Sequence, residues 1–446
     1  MCSSDLSYRV AVGDGVTAIG DHAFGGCAGM TAIAIGAGVR RVGDFAFSGC
    51  GSLAAVALPA GVTNIGMFAF SSCASLAEVT IPEGVVAIGD CAFGMCRSLR
   101  RVTVPDSVAR IGCEAFVGCE QLGGVTVGAG IVSMGVRAFG GCGSVTNVTL
   151  RGLPKSVVEY SGTPGSPSLC RVFESQSFVA VVEGSATNIG SYAFEGCAGL
   201  TSVVVCAGVT NVGEYAFAEC QNLLSVTIEE GLVSIGDFAF RGCSGLTCIA
   251  IPASVTGIGV GFFSWCSHLA AIVVAEESTH FESLDGVLMN KGKTLLIQWP
   301  GGKKGAFTVP ASVSQIADYA FANYVGPVSL YFAGDAPSVG ANTFNIDGLW
   351  VYYSSRANGW GAALGGYPTR LWNPQVLSGS VGVTEEGFGF VISNAGSPAV
   401  VVEACTNLSG TAWAPLSTNV LSDGAASFRD SAWGAHASRF YRFRMP

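Results

Sequence analysis

Phenylalanine returns every 23 residues along much of this chain, and a period of that kind points to a stacked array. Phe24, Phe47, Phe70, Phe93, Phe116 and Phe139 form one run, Phe194, Phe217, Phe240 and Phe263 a second, and Phe321 with Phe344 a third. The gaps between runs are 55 and 58 residues, so two inserts of 32 and 35 residues interrupt the period. Neighbouring positions recur as well. Ala precedes the Phe in ten of the twelve units, Gly stands four residues before it in eleven, and Cys follows three residues after it in ten. A single unit cannot bury its own apolar edge, whereas stacked units bury it continuously.

One unit shows why. In Leu76-Ala77-Glu78-Val79-Thr80-Ile81-Pro82, Val79 and Ile81 alternate around Thr80, the period of a half-buried strand. Pro82 has no amide proton for a ladder and ends the strand. Val85 and Ile88 carry the chain back across the core, Gly89 opens a tight turn, and Ala92-Phe93 suits one short helical turn. Asp21, Asp44, Asp90, Asp237 and Asp318 each lie three residues before their Phe, where a carboxylate is expected to cap the free N–H groups of that turn. The Phe rings themselves are expected to stack as a ladder.

Written out, the repeat is L-x-x-V-x-I-P-x-x-V-x-x-I-G-x-x-A-F-x-x-C. It resembles the BspA-like, or treponemal, class of bacterial leucine-rich repeat over about residues 7 to 373, with interruptions. That resemblance implies a β-rich solenoid of short strands and short helical turns. It also implies an exported or surface-attached protein, since some members of the class are adhesins for host proteins or for other cells.

The domain organisation follows from where the period holds. Residues 1–6 read as a non-native start that has displaced an export signal, 7–150 and 177–275 as repeats, and 151–176 as a turn-rich insert. In the second insert, 276–304, Asp285-Gly286 and Lys291-Gly292-Lys293 read as turns of a hairpin protruding from the array, an element that also recurs in the resembled family. Residues 305–373 hold the last repeats and an aromatic cap around Trp350, Tyr352, Tyr353 and Trp360. From 374 to 446 the period is lost. Alternating stretches there, such as Phe440-Tyr441-Arg442-Phe443-Arg444, predict a small antiparallel β-sandwich resembling C-terminal modules of large secreted bacterial repeat proteins.

Composition removes several function classes. A net charge of −9, with only five lysines, gives no basic footprint for nucleic acid. No apolar run approaches the roughly 20 residues that a membrane-spanning helix needs. The four histidines are scattered and form no H-E-x-x-H, no G-x-S-x-G occurs, and Gly301-Gly302-Lys303-Lys304-Gly305 lacks the spacing of a phosphate loop. Nothing calls for a cofactor or metal, and an enzyme is not expected. Ten of the seventeen cysteines share one repeat position, where a small buried thiol fills the turn after the Phe; reduced thiols are expected there, and the other seven follow no common spacing.

Binding is the usual work of a solenoid face. The candidate contact residues are the outward strand positions Thr80, Thr103, Thr126 and Thr149 with Arg101 beside them, and Lys291, Lys293 and Trp299 of the hairpin. Protein or glycan ligands at a cell surface are the expected partners. The opposing expectation is a structural spacer that displays the C-terminal module, with the threonines present only for their β propensity.

Overall fold

The computed structural model of the chain describes residues 7–154, 156–158, 168–173, 177–322, 328–340, 342–345, 348–393, 399–408, 412–422 and 424–446. The start at 1–6 and much of the first insert lie outside the described residues. Two compact units are formed, Met1–Gly286 with Pro300–Gly302, and Val287–Trp299 with Lys303–Pro446.

The first unit is a β-solenoid with two rows of parallel strands. In the longer-stranded row, Arg101–Val104, Gly124–Val127, Asn147–Leu150, Phe178–Val182, Leu200–Val205 and Ser225–Ile228 form one six-stranded sheet. Register follows the period, so that Thr103 pairs with Thr126 and Thr126 with Thr149. The second row consists of strands two or three residues long, running in one sheet from Ala18–Ile19 to Ser156–Val158 and in another from Asn188–Ile189 to Gly257–Ile258. Between the rows lies the aromatic ladder. Phe47, Phe70, Phe93, Phe116 and Phe139 are fully buried, and successive rings stack with centroids 5.0–5.2 Å apart.

The arc around each Phe is not helical. Two residues before the ladder Phe, the backbone is left-handed at His22, Phe45, Phe68, Cys91, Glu114 and Arg137, with φ of 51–57°. A left-handed residue cannot continue a right-handed helix, so the expected helical turn is replaced by an irregular one. The Asp expectation is corrected with it. Asp44 Oδ1 accepts the N–H of Met67 at 2.9 Å, and Asp90 Oδ1 that of Cys113 at 2.8 Å, each in the following coil. These carboxylates therefore tie coil to coil instead of capping their own turn.

The Gly four residues before the Phe is required by close approach. A Cβ on Gly66 would stand 2.6 Å from the carbonyl carbon of Gly43, and one on Gly89 2.6 Å from that of Gly66. Neighbouring coils touch backbone to backbone along this row.

Both inserts turn out to supply ladder members. Phe173, at the end of the short helix Cys170–Phe173, stacks on Phe139 at 5.3 Å. Strand Ser156–Val158 pairs with Ser133–Gly135, and Asn147–Leu150 pairs directly with Phe178–Val182. The strands on either side of the first insert are thus direct neighbours in one sheet.

In the second unit, Val287–Asn290 and Leu295–Gln298 form an antiparallel hairpin, but it does not simply protrude. Leu295 and Leu296 pair in parallel with Gln315 and Ile316 of the next coil. Trp299 is 1% exposed and stacks on Phe321 at 5.5 Å, with Phe344 tilted beyond it at 5.2 Å. Of the cap aromatics, Tyr352 is buried, whereas Trp350 faces outward beneath the guanidinium of Arg370, 3.9 Å away.

The last residues of this unit form two antiparallel sheets. Gln375–Val376, Gly382–Thr384, Gly387–Ser393 and Ala425–Asp430 make one, and Ala399–Cys405, Ala414–Val420 and Phe440–Arg444 the other. Phe390, Ile392, Val400, Val402, Leu421 and Phe428 pack between them as a sandwich core. Inside the second sheet, buried Glu403 accepts from Arg442 at 2.8 Å and from Arg444 at 2.7 Å. The chain end is held to the last coils, where Met445 packs with Tyr331 and Tyr352 and the Thr308 hydroxyl donates to the carbonyl of Pro446.

Candidate functional site

Ladder pairing in the longer-stranded row of the first unit breaks at three steps, after Met30–Ile35, after Glu78–Thr80 and after Ser225–Ile228, and the second of these opens as a cleft. Ala55–Ala57 pairs with Glu78–Thr80, and Arg101–Val104 begins the six-stranded sheet, but no ladder joins Glu78–Thr80 to Arg101–Val104. The second row runs on uninterrupted behind this point, with Ala87 and Ile88 paired to Arg110 and Ile111. The two coils stay joined at the edge of this step, where Arg100 N–H donates to the carbonyl of Ala77 at 3.3 Å, and lose ladder pairing beyond it.

The result is a cleft of about 610 Å³. Glu78, Thr80 and Glu83 line one side, and Arg100, Arg101, Thr103 and Arg151 the other. Val79 and Val104 contribute the apolar floor. Val79 is partly exposed here, whereas its counterparts Val56, Val102 and Val125 are buried at 1–4% exposure, because the parted coil no longer covers it.

The charge arrangement is polarised. Arg151 is held by Glu183 at 3.1 Å and Asp106 at 3.6 Å. Arg100 and Arg101 are exposed and form no ion pair among the described residues, and the same holds for Glu78 and Glu83 across the opening. Elsewhere in the array Arg41, Arg97, Arg137 and Arg241 each meet a carboxylate. Two unpaired guanidiniums facing two unpaired carboxylates over an apolar floor can receive a segment that carries both charges.

Of the residues singled out from sequence, Thr80, Arg101 and Thr103 come together at this cleft. Thr126 and Thr149 continue the Thr103 row away from it, half-buried and in register. The hairpin residues belong to the other unit. Lys291 is exposed and Lys293 occupies a left-handed turn position, where Asn290 Oδ1 accepts the N–H groups of Thr294 and Leu295. Trp299 is core, which removes it as a contact residue.

Sequence reasoning passed over Glu78 and Glu83 as half of a polarised site, since which strands part is not written in the repeat. It also missed a second aromatic row. His22, Phe45 and Phe68 stack at 4.8 Å, and Tyr192, Tyr215 and Phe238 at 5.1–5.3 Å, all on the left-handed position. The recurring aromatic-Ala-Phe triplets, such as Phe45-Ala46-Phe47, carried that signal. These rings cover each other's faces and leave their rims to solvent.

The shared cysteine position has a defined role. The thiols of Cys50, Cys73, Cys96, Cys119, Cys142, Cys220, Cys243 and Cys266 donate to the carbonyl of the Phe one coil back, at 3.0–3.3 Å. Burial raises Cys96, Cys220 and Cys266 to about 12, so these stay protonated thiols. Cys27 departs from the expected reduced row: it is disulfide-bonded. Among the described residues, no three His, Cys, Asp or Glu side chains are grouped to hold a metal ion, and no helix is long and apolar enough to cross a membrane.

Comparison with known proteins gives a family match. The model of the BspA type leucine-rich repeat region matches six times, over residues 4–122, 86–161 and 187–284, more than half of the chain. Among solved structures, a leucine-rich repeat protein from Bacteroides ovatus is 23% identical, with 72% of this chain and 78% of that one covered at a TM-score of 0.39. A leucine-rich cell surface protein from Faecalibacterium prausnitzii is 26% identical, covering 68% and 70% at a TM-score of 0.38. The leucine-rich repeat protein of T. pallidum is 27% identical, covering 48% and 78% at a TM-score of 0.27. No curated protein matches the chain.

Proposed function

The chain belongs to the BspA-type leucine-rich repeat family, and on that premise we propose that it is a non-catalytic binding protein of the cell surface that takes hold of a partner protein at the cleft between Glu78–Thr80 and Arg101–Val104. The surface location and the adhesive role rest on the family and are analogy. The site rests on one observation, the unpaired Arg100 and Arg101 facing Glu78 and Glu83 across an opened sheet. Complementary charge sets register and partner choice at such contacts. A polypeptide segment with basic, apolar and acidic side chains in turn matches this arrangement. A polyanionic glycan matches it less well, because Glu78 and Glu83 would repel it.

The alternative is a rigid spacer for the C-terminal sandwich. It is favoured by the mild Thr103, Thr126 and Thr149 row and by the unbroken Phe stack from Phe47 to Phe139.

The test is saturable binding of the full chain to a panel of immobilised extracellular-matrix proteins and glycans, repeated with Glu78→Arg, Arg101→Glu and the double exchange. Binding to a protein that each single exchange weakens at least tenfold, at unchanged circular dichroism, supports the cleft. Binding that ignores all three variants would remove the cleft, and absence of saturable binding would favour the spacer.

A further inference from the structure

The C-terminal sandwich holds a cavity of its own, about 250 Å³ in volume and lined only by residues of the second unit. Phe388, Trp433 and Tyr441 supply rings to its wall, and His436, Ser438 and Arg439 supply polar groups.

One carboxylate organises this wall. Asp430 ends strand Ala425–Asp430 and is 6% exposed. Its Oδ1 accepts the N–H of Ala432 at 3.0 Å, which fixes the start of the short 3-10 turn Trp433–Ala435. Its Oδ2 accepts the Tyr441 hydroxyl at 2.9 Å and lies 2.6 Å from Arg439 Nε. The Tyr441 ring stacks on Phe388 at 5.1 Å, and Trp433 is tilted against Phe388 at 6.3 Å. Turn, rings and guanidinium are therefore held in place before any ligand arrives, which lowers the cost of binding one.

The polar groups are left with capacity to spare. The Arg439 side chain is 12% exposed. Beyond Asp430 and the adjacent Tyr441 hydroxyl, its guanidinium meets no hydrogen-bond partner among the described residues, and the His436 imidazole and Ser438 hydroxyl meet none. A guanidinium carries five N–H donors in a fixed fork, so several remain for a ligand.

We infer that this cavity is a binding site for one pyranose ring of a neutral saccharide, which lies against Trp433 and hydrogen-bonds through its hydroxyls to Arg439, His436 and Ser438.

The chemistry on both sides matches. The C–H bonds on one face of a pyranose turn weakly positive ends toward the negative face of an aromatic ring. Each sugar hydroxyl both donates and accepts, so it can answer a guanidinium that only donates as well as an imidazole or a serine. The cavity is smaller than the roughly 300–1,000 Å³ of sites for drug-sized ligands, which limits it to a single ring. A simple anion gains less here, because Asp430 already balances the Arg439 charge and the rings would go unused. The site is separate from the cleft at Glu78 and Arg101, whose residues all belong to the first unit.

The experiment is saturation-transfer NMR on the full chain, with the methyl glycosides of glucose, galactose, mannose and N-acetylglucosamine offered one at a time and sodium acetate as the anion control. Transfer to the ring C–H protons of at least one glycoside is expected, with a dissociation constant on the order of millimolar for so small a ligand. Trp433→Ala should weaken that binding roughly tenfold, and the double variant His436→Ala with Ser438→Ala should weaken it severalfold. All three side chains are exposed, so thermal unfolding of these variants should match the parent. Glu78→Arg should leave the binding unchanged. Absence of transfer to all four glycosides, transfer that Trp433→Ala or the double variant leaves intact, or acetate binding as strong as that of the glycosides would overturn the assignment.

Discussion

The thiol of Cys96 donates to the carbonyl oxygen of Phe70 across 3.2 Å, one coil back, and that oxygen also accepts the N–H of Cys73 at 3.3 Å. One acceptor thus holds its own turn closed and the next coil in place. Repeated along the row, this pairing explains why a cysteine, small enough to be buried and able to donate weakly, occupies the position.

Because the Phe70 carbonyl keeps its bond from Cys73, removing the thiol does not orphan it. Cys96→Ala should therefore cost only about 1–2 kcal/mol, the loss of buried volume and one weak bond. Guanidinium titration followed by circular dichroism measures this; a variant as stable as the parent would show that the thiol bond is incidental.

Gly66 and Gly51 make a matched pair for the backbone contact. A Cβ on Gly66 meets the carbonyl carbon of Gly43 at 2.6 Å, while one on Gly51 meets nothing within 4 Å. Gly66→Ala should destabilise the array by ~1–3 kcal/mol through forced separation of coils. Gly51→Ala should leave the same titration unmoved within about 0.5 kcal/mol.

Trp299 and Lys291 distinguish core from surface in the second unit. Trp299→Ala empties a buried ring position stacked on Phe321 and should cost ~3–5 kcal/mol, as should Phe93→Ala in the first unit. Lys291→Ala, at an exposed turn, should fall within about 0.5 kcal/mol of the parent. If Trp299→Ala proves harmless to thermal unfolding, its place in the ladder is wrong.

Glu403 makes the sandwich sensitive to acid. Burial pushes its carboxyl up, but the hydrogen bonds and charges of Arg442 and Arg444 outweigh that and hold it below its usual 4.5. A carboxyl depressed by folding adds stability above its unfolded value, and that stability is lost as pH falls through the lower folded value. The midpoint of unfolding reported by Trp413, which lies under the Arg442 guanidinium at 4.5 Å, should therefore fall as the solution is taken below about pH 4.5. Glu403→Gln should start less stable by ~1–3 kcal/mol, because the negative charge is lost and one of the two acceptor oxygens becomes an NH2 facing a guanidinium. It should also lose part of the acid dependence; an undiminished dependence would place its origin elsewhere.

How far the sequence could be read is visible at particular positions. The ladder from Phe47 to Phe139, the strand register of Thr103 with Thr126, and the buried cysteine row were all legible. The turn geometry was not: Ala92-Phe93 looks helical, yet Cys91 is left-handed at φ 51°. A turn braced on both sides by other coils takes the conformation that its neighbours allow, whatever its local propensity. Asp90 likewise looks like a cap for its own turn, but its nearest free N–H belongs to the next coil.

For this protein the period by itself determined the solenoid, because each coil touches only the ones before and after it. A constant spacing in sequence is then a constant contact in space, and Phe, Gly and Cys keep their roles wherever it holds. Where the spacing failed, only the tertiary structure could decide. An arc of any length can leave a coil and return with an aromatic ring in register, so Phe173 and Trp299 complete ladders from which their sequence positions exclude them. The opening between Glu78 and Arg101 was decided at that level too. It depends on how two successive coils meet, and the repeat pattern is the same at steps where the ladder is kept.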